Sequence, residues 1–224
     1  MYSPLHWKSS EAARCPIDKQ PEPWTDRDYS DELFDSADLY SVAMERCRFS
    51  GCAFRGADLD EAITDHCVFD ACDFSGARLN GSRHRGSAFL NCRFPLANLT
   101  DARFEQCKMT GSSFTDARFM AVTIAGGDWS FVVLAGHDLR GIDLRDVRLS
   151  DANLEGCNLE RANLRGSDLT NASLVRARLR GADLRGARLD GVDLSLLTLR
   201  GVQLDLQQAV LLARSLGAVV DASG

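Results

Sequence analysis

Eight cysteines and four histidines are the residues of this 224-residue chain that could bind a metal or supply a nucleophile and its base. Pairs such as Cys47/Cys52 and Cys67/Cys72 stand five positions apart, whereas zinc sites typically use ligands that are closer together in sequence. No serine or cysteine can be paired with an aligned base among His6, His66, His84 and His137. No phosphate-binding loop, HExxH or GxGxxG motif is present. We therefore expect no enzyme activity, no metal site and no cofactor.

The spacing of the cysteines belongs to a repeat that extends over most of the chain. An apolar residue stands at every fifth position from Phe34 to Leu204, and the same phase extends back to Trp24. No residue is inserted or deleted, and only Thr64 and His84 interrupt the apolar series. The residue two positions earlier is nearly always Ala, Ser or Cys, and seven of the eight cysteines occupy such positions. We call the two positions the large slot and the small slot.

A period of five matches neither the α-helical period of about 3.6 nor the simple alternation of a β-strand. It does fit a four-sided solenoid in which each five-residue unit forms one side and its corner, so that four units complete one coil. Both slots then point inward, and buried cysteines act as small apolar residues. At a strand spacing of ~4.8 Å, about nine stacked coils would make a rod of roughly 40 Å.

Thr64 and His84 are four units apart, so the solenoid places them on the same side in adjacent coils. Their side chains could satisfy each other inside the rod, because a neutral imidazole both donates and accepts hydrogen bonds. Alternatively, the wall bends and His84 turns outward with Arg83 and Arg85. In either case we expect a structural irregularity with a kink at this segment, not a catalytic or metal site.

The two ends of the chain depart from the repeat. Residues 1–23 contain four prolines and are expected to form a flexible arm, in which Cys15 has no assigned role. The repeat domain is expected over residues 24–204. Residues 205–224 begin with a capping-box pattern, Asp205 and Gln208, and predict a helix that ends before Gly217. This helix is apolar around most of its circumference, which indicates a cap that also forms a dimer. The residues chosen for the dimer interface are Leu206, Val210, Leu211, Ala213 and Arg214.

The charge is distributed unevenly along the chain. Residues 22–80 contain 14 acidic and 5 basic residues, whereas residues 81–138 and 139–204 have net charges of +1 and +2. An acidic end disfavours direct binding of nucleic acid, which needs a positive surface, and allows a basic protein partner. A second acidic set at Asp143, Asp146, Asp151, Glu155 and Glu160 is interleaved with arginines. No apolar run approaches the ~20 residues that span a bilayer, and no signal peptide is visible, so we expect a soluble, cytoplasmic protein without membrane contact.

Several segments resemble known proteins. "GADLDEA" and "RGADLRGARLDGVDL" resemble the A(D/N)LXX pattern of pentapeptide-repeat proteins, which implies an all-β fold, the right-handed quadrilateral parallel β-helix. The closing "RGVQLDLQQAVLLARSLGAVV" resembles the last segment of the Qnr and MfpA fluoroquinolone-resistance proteins. "CDFSGARLNGSRHRGSAFLNCRF" and "VLAGHDLRGIDL" resemble MfpA in particular, so the chain is expected to be closest to MfpA.

The resemblance implies a homodimeric, DNA-mimicking rod that binds DNA gyrase, modulates it and protects it from fluoroquinolones. Carboxylates would then stand in for phosphates. The residues expected to form the gyrase-binding surface are Asp38, Glu45, Asp58, Asp60, Glu61 and Asp65. Two alternatives remain open at this point. The chain could be a structural scaffold with another protein partner, or an immunity factor against a gyrase inhibitor made by the same cell.

Overall fold

The structure is a computed structural model that describes residues 23–221, and the expected arm before Pro23, Cys15 and the last three residues lie outside this range. Within it the chain forms a parallel β-solenoid followed by one α-helix, which confirms the predicted fold class. The strands are β1 Trp24–Thr25, β2 Asp28–Ser30, β3 Ala43–Glu45, β4 Arg48–Ser50, β5 Ile63–Asp65, β6 Val68–Asp70, β7 Arg83–Arg85, β8 Ala88–Leu90, β9 Arg103–Glu105 and β10 Thr123–Ala125. A 3-10 helix covers Leu194–Leu196, and helix α1 covers Leu206–Ser215.

Each strand pairs in parallel with a strand four units away, as Phe49 with Phe69 and Thr64 with His84. One side of the rod is a sheet in the order β1-β3-β5-β7-β9-β10, and a second side has the order β2-β4-β6-β8. The other two sides consist of single bridges with the same four-unit step, such as Asp38 with Asp58 and Ala53 with Asp73. The coil therefore has four sides of one unit each, as the period of five predicted.

Both slots point into the rod and form one continuous core. Phenylalanines in large slots stack one coil above another, with ring centroids 4.9 Å apart for Phe54 and Phe74 and 4.7 Å apart for Phe74 and Phe94. The seven cysteines within the described range are free and buried, so they serve as packing residues. Burial raises the pKa of the Cys107 and Cys157 thiols to about 11, which keeps them protonated at neutral pH.

The predicted kink at Arg83–Arg85 is not present. β7 is a regular strand that pairs with β5 on one side and β9 on the other. His84 is 3% exposed and Thr64 is 2% exposed, and Thr64 Oγ1 lies 2.8 Å from His84 Nδ1. The Ser82 hydroxyl donates to the Leu79 carbonyl, so its oxygen can accept from His84 Nε2 at 3.0 Å. Because both ring nitrogens have partners, the imidazole replaces a phenyl ring without distorting the wall.

The irregularity lies two coils further along. The pairing on two of the four sides stops between residues 116–126 and 136–146, although Thr123 still pairs with Arg103 and Asp143 with Asn163. On the other two sides the ladder continues, as Lys108 with Asp128 and Ser113 with Val133. The coils therefore separate along half of their circumference and leave a cleft of about 600 Å³.

The residues in the small slots explain this separation. From position 122 to 147 the small slots hold Val122, Gly127, Val132, His137, Ile142 and Val147, where most other units have Ala, Ser or Cys. Gly127 has a φ of +97°, and a Cβ there would collide with the backbone of Cys107, so the two coils touch on that side. Val122, His137 and Ile142 occupy the small slots of the two open sides, and their bulk keeps the coils apart there, because a close-packed interior cannot absorb extra methyl groups.

Candidate functional site: an acidic surface and a terminal helix

The acidic surface begins where two neighbouring sides of the rod meet. The ladder that joins Asp38 to Asp58 continues to Arg78, and Asp60 and Glu61 follow Asp58 around the corner. Leu39 and Leu59, in the adjacent large slots, are buried and fix the direction of these side chains. Alternation of inward apolar and outward polar residues thus brings four of the predicted carboxylates together.

Tyr40 stands among these carboxylates and is 53% exposed. The pKa of its phenol is raised, first by a hydrogen bond with the Glu61 carboxylate and then by the charge of Glu61, with smaller effects from burial and from Asp58 and Asp60. Sequence reasoning did not select Tyr40. The available signal was an aromatic residue directly after a large slot, at a position that is mostly polar in the repeat.

Glu45 and Asp65, the other two predicted residues, lie on the next side of the rod. β3 and β5 place them in register, and β7 continues the column with Arg85. Glu45 forms an ion pair with Arg46, and Asp65 contacts His66. The predicted set is therefore brought together as two adjacent groups, Asp38/Asp58/Asp60/Glu61 and Glu45/Asp65, and not as one cluster.

Arginines limit the extent of this surface. Arg78 forms ion pairs with Asp58 and, at 3.3 Å, with Asp60. Arg55 lies 3.0 Å from Asp73, which also contacts Arg93. Both acidic columns end in an arginine at the third coil, Arg78 in one and Arg85 in the other. The negative surface consequently occupies the first coils of the described range, and Asp38 and Glu61 have no ion pair among residues 23–221.

The second acidic set is neutralised in part: Asp143 and Glu155 have ion pairs, whereas Asp146, Asp151 and Glu160 have none among residues 23–221. Asp143 pairs with Arg145 at 2.7 Å, and Glu155 lies 3.8 Å from Arg176. The Arg145 guanidinium lowers the pKa of the Asp143 carboxyl through a hydrogen bond. These pairs are exposed, so they contribute little to stability. These ion pairs affect the electrostatic potential of the surface more than they affect stability, because each arginine cancels the charge of the carboxylate beside it.

Helix α1 closes the last coil through a polar side chain. Asp205 and Gln208 form the predicted capping box, and Gln208 is only 2% exposed. The Gln208 amide donates to the carbonyl of Ala187 at 2.8 Å and to that of Leu184. Leu211 and Leu212 pack against the core beside it. The Ala187 carbonyl accepts no backbone hydrogen bond from a described residue, whereas that of Leu184 already accepts from Ala187 N, so an amide donor is more useful beside Ala187 than an apolar residue.

This contact decides which face of α1 looks outward. Leu206 is 80% exposed, and Leu216 and Val219 are also exposed. Leu211, which was predicted for the dimer interface, faces the coil instead, because it stands one turn from the buried Gln208. Leu206, Val210 and Ala213 share the opposite side of the helix, and Arg214 is exposed in its last turn.

Among residues 23–221, no group of three or more His, Cys, Asp or Glu side chains could hold a metal ion. His66, His84 and His137 are separated in the rod: His66 contacts Asp65, His84 contacts Thr64, and His137 Nε2 lies 2.8 Å from the Phe114 carbonyl. No helix in the same range is long and apolar enough to cross a membrane.

Two family descriptions match the sequence. "Pentapeptide repeats" matches eight copies over residues 97–128, 130–161 and 157–195, and "Pentapeptide repeat region" matches residues 42–103. Together they cover more than half of the chain. No curated protein sequence matches it.

Solved structures that are similar to this chain include a trypsin-treated variant of QnrB1, a plasmid-mediated fluoroquinolone resistance protein. It is 22% identical with a TM-score of 0.46, and the match covers 88% of this chain and 99% of that one. HetL, from the cyanobacterium Nostoc and involved in heterocyst differentiation regulation, is 24% identical with a TM-score of 0.47, covering 80% and 85%. A thylakoid-lumen protein from Arabidopsis thaliana is 24% identical with a TM-score of 0.28, covering 67% and 77%.

Proposed function

We propose that this chain, which belongs to the pentapeptide-repeat family, is a DNA-mimicking protein that binds DNA gyrase and protects it from fluoroquinolones. Gyrase is the partner that the resemblance of the "SRHRG" and "LDLQQAVLLARSLG" segments to MfpA and Qnr proteins implies. Within the pentapeptide-repeat fold, which serves several roles, the charge of the rod is the property that favours mimicry over a scaffold.

The density of negative charge at the acidic end carries this proposal. Residues 23–80 contain 13 acidic and 5 basic residues, a net charge of −8 over not quite three coils. Three coils span about 14 Å, so the end has about one net negative charge per 1.7 Å of axis. Double-stranded DNA carries one charge per ~1.7 Å of helix axis. A basic groove that accepts a duplex would therefore meet a similar linear charge density on this rod.

The test is a DNA supercoiling assay with purified gyrase, with and without ciprofloxacin, at two salt concentrations. We expect the protein to relieve drug-induced inhibition, and to do so less effectively at high salt, because screening weakens attraction between exposed charges. The variant Asp58→Asn/Asp60→Asn/Glu61→Gln should need about ten times more protein for the same effect.

The matched control is Asp151→Asn/Glu155→Gln/Glu160→Gln, which removes the same number of carboxylates from the part of the rod where arginines are interleaved. This control should act like the unmodified protein. Equal losses in both variants would contradict mimicry by the acidic end. No effect of the unmodified protein on supercoiling, on drug-induced cleavage or on ATP turnover would reject gyrase as the partner.

We further propose that the outward face of α1 forms the homodimer. An exposed apolar face on a terminal helix is typical of an interface, and two-fold dimers are the commonest assembly. Leu206→Glu places a charge on this face and should shift the mass measured by light scattering from dimer to monomer. Gln207→Glu introduces the same charge on the neighbouring exposed residue and should leave the dimer intact. A monomeric unmodified protein would contradict the proposal.

A further inference from the structure

The cleft between residues 116–126 and 136–146 has walls made of unpaired backbone. One coil earlier, the N–H groups of Leu99 and Asp101 donate to the carbonyls of Arg118 and Met120. At the equivalent positions in the cleft, the N–H groups of Phe119 and Ala121 have no acceptor within the part of the chain that the structure describes.

The opposite wall repeats this pattern. Arg118 and Thr123 donate from their N–H groups to the coil before them, to the carbonyls of Ala97 and Ala102. Asp138 and Asp143, one coil later, make no such bond to any described residue. Two strand edges thus face each other across the gap. Unpaired edges are the surfaces to which an extended chain adds by main-chain hydrogen bonds.

The floor of the cleft is apolar. Phe119, Val122 and Ile124 are 7%, 8% and 5% exposed, while Leu99, Ala102 and Phe104, their counterparts one coil earlier, are all 0% exposed. Leu139 and Ile142 contribute from the opposite coil. The floor therefore presents apolar residues from both large and small slots, which side chains of an incoming segment could contact.

The mouth of the cleft is charged. Arg140 pairs with Asp138 and Arg145 with Asp143, each at 2.7 Å, so these four groups neutralise one another. Asp146 also lines the cleft and has no ion pair among residues 23–221. One carboxylate is therefore available for a basic side chain of an occupant.

We infer that this cleft is a docking site for an extended segment of another polypeptide. The segment would form two further sides of the solenoid between the separated coils. Its main chain would make hydrogen bonds with both strand edges. It would follow the pattern of the repeat, with a small and a large apolar residue directed to the floor and polar residues directed outward, including a basic residue near Asp146. Two coils that hold one extra strand between them stand ~9.6 Å apart, twice the usual strand spacing. The volume of about 600 Å³ is within the range of ligand sites.

The probe is a fluorescein-labelled synthetic peptide, ANLERANLRG. It copies residues 157–166 with Ala in place of Cys157, a stretch that lies on the same two sides of the rod one coil beyond 137–146. We expect saturable binding by fluorescence polarisation. Hydrogen exchange with mass spectrometry should show slower exchange on peptide addition in residues 116–126 and 136–146, and unchanged exchange in residues 63–105.

A pair of variants at Asp143 tests the main-chain contact. Leu144 N donates to the Asn163 carbonyl and Asn163 N to that of Ile142, so the N–H of Asp143 is directed to the cleft and not to the next coil. Asp143→Pro removes this N–H and the carboxylate, whereas Asp143→Ala removes the carboxylate alone. The proline variant should bind the peptide about tenfold more weakly than the alanine variant.

A second variant, His137→Ala, restores a small residue in a slot on one of the two open sides without changing a residue that lines the cleft. It should allow the coils to pair and should abolish peptide binding while the protein remains folded. The inference is overturned if the unmodified protein shows no saturable binding at millimolar peptide, or if the Asp143→Pro and Asp143→Ala variants bind equally. Protection on peptide addition only outside residues 116–126 and 136–146 would also overturn it.

Discussion

The first coils of the solenoid and the coils around the cleft follow the same repeat but pack differently. Between β1 and β9 each side keeps its four-unit pairing, and a histidine in a large slot causes no disturbance. Between residues 116 and 146 the pairing fails on two sides, where a histidine stands in a small slot. His84 and His137 differ in position, not in chemistry. The two histidines indicate that an imidazole in a small slot is associated with separated coils, whereas the large slot at position 84 accommodates an imidazole in place of a phenyl ring.

The stacked phenylalanines of the first region should contribute most to stability. Phe74 is 1% exposed and stacks on both Phe54 and Phe94. Replacing it with alanine leaves a cavity and should lower the free energy of unfolding by about 3–5 kcal/mol. Urea denaturation measures this. The control is Phe131→Ala, at a ring that is 57% exposed, which should stay within about 0.5 kcal/mol of the unmodified protein.

A bulky residue placed in a small slot of the first coils should disturb the pairing between coils there. Ala102 is fully buried in a small slot, one coil before Val122 and two coils before Ile142 in the same column. Ala102→Ile should destabilise the protein by about 1–3 kcal/mol. It should also accelerate amide exchange in residues 99–106. Ala102→Ser, which preserves the size of the slot, serves as the control, and equal exchange in both variants would contradict the role assigned to this slot.

His84 should make stability depend on pH. Burial lowers the pKa of its imidazole to about 3, whereas the unfolded chain has a value of about 6.5. The unfolded state therefore binds a proton that the folded state does not, and stability falls as pH decreases from about 6.5 toward 3. The slope from this residue is about 1.4 kcal/mol per pH unit.

The variant His84→Phe isolates this contribution, because His137 is retained in both proteins. Phenylalanine can stack on Phe104, which lies 4.8 Å from the imidazole in the unmodified protein. Urea denaturation at pH 7.5 and 5 should show a difference between parent and variant that grows by about 2 kcal/mol at the lower pH. A difference that stays constant with pH would show that the His84 imidazole binds a proton equally well in the folded and unfolded states.

The smallest expected effect concerns a corner beside the cleft. Phe131 has a φ of +59°, a left-handed conformation that costs a bulky residue roughly 1–2 kcal/mol. Glycine occupies the same corner at Gly51, Gly111 and Gly191. Phe131→Gly removes this cost but also gives the unfolded chain more conformational freedom. The net gain in the free energy of unfolding should be at most about 1 kcal/mol, which would appear as a small rise in the thermal midpoint. Gly111→Phe, at the same corner one coil earlier, should lower it.

The sequence was sufficient for the solenoid, the inward slots and the capping box, because each depends on spacing alone. It was misleading about the irregular segment. His84 breaks the apolar series of the large slots, whereas the residues beside the separated coils, Val122, His137 and Ile142, stand in the small slots. Whether a bulky small-slot residue breaks the pairing of adjacent coils depends on the volume around its side chain. That volume is known only from the three-dimensional packing of the neighbouring coils.

The functional surfaces were predictable to different degrees. The acidic residues at one end followed from counting charge, but their division into two groups and the neutralising positions of Arg55 and Arg78 required the ladder register. The face of α1 could not be read from its apolar pattern. A polar residue, Gln208, is the most buried because the last coil presents carbonyl groups that need a donor.

The position of Gln208 has a consequence for self-association. A parallel solenoid that ends in an open row of carbonyls is a template on which further strands could add without limit, as they do in amyloid fibrils. The Gln208 amide occupies the carbonyls of Leu184 and Ala187, and α1 covers them. The helix thereby prevents further strands from adding at this end. The rod does not grow into a fibre from this end, although its coils are stacked like the strands of a fibril.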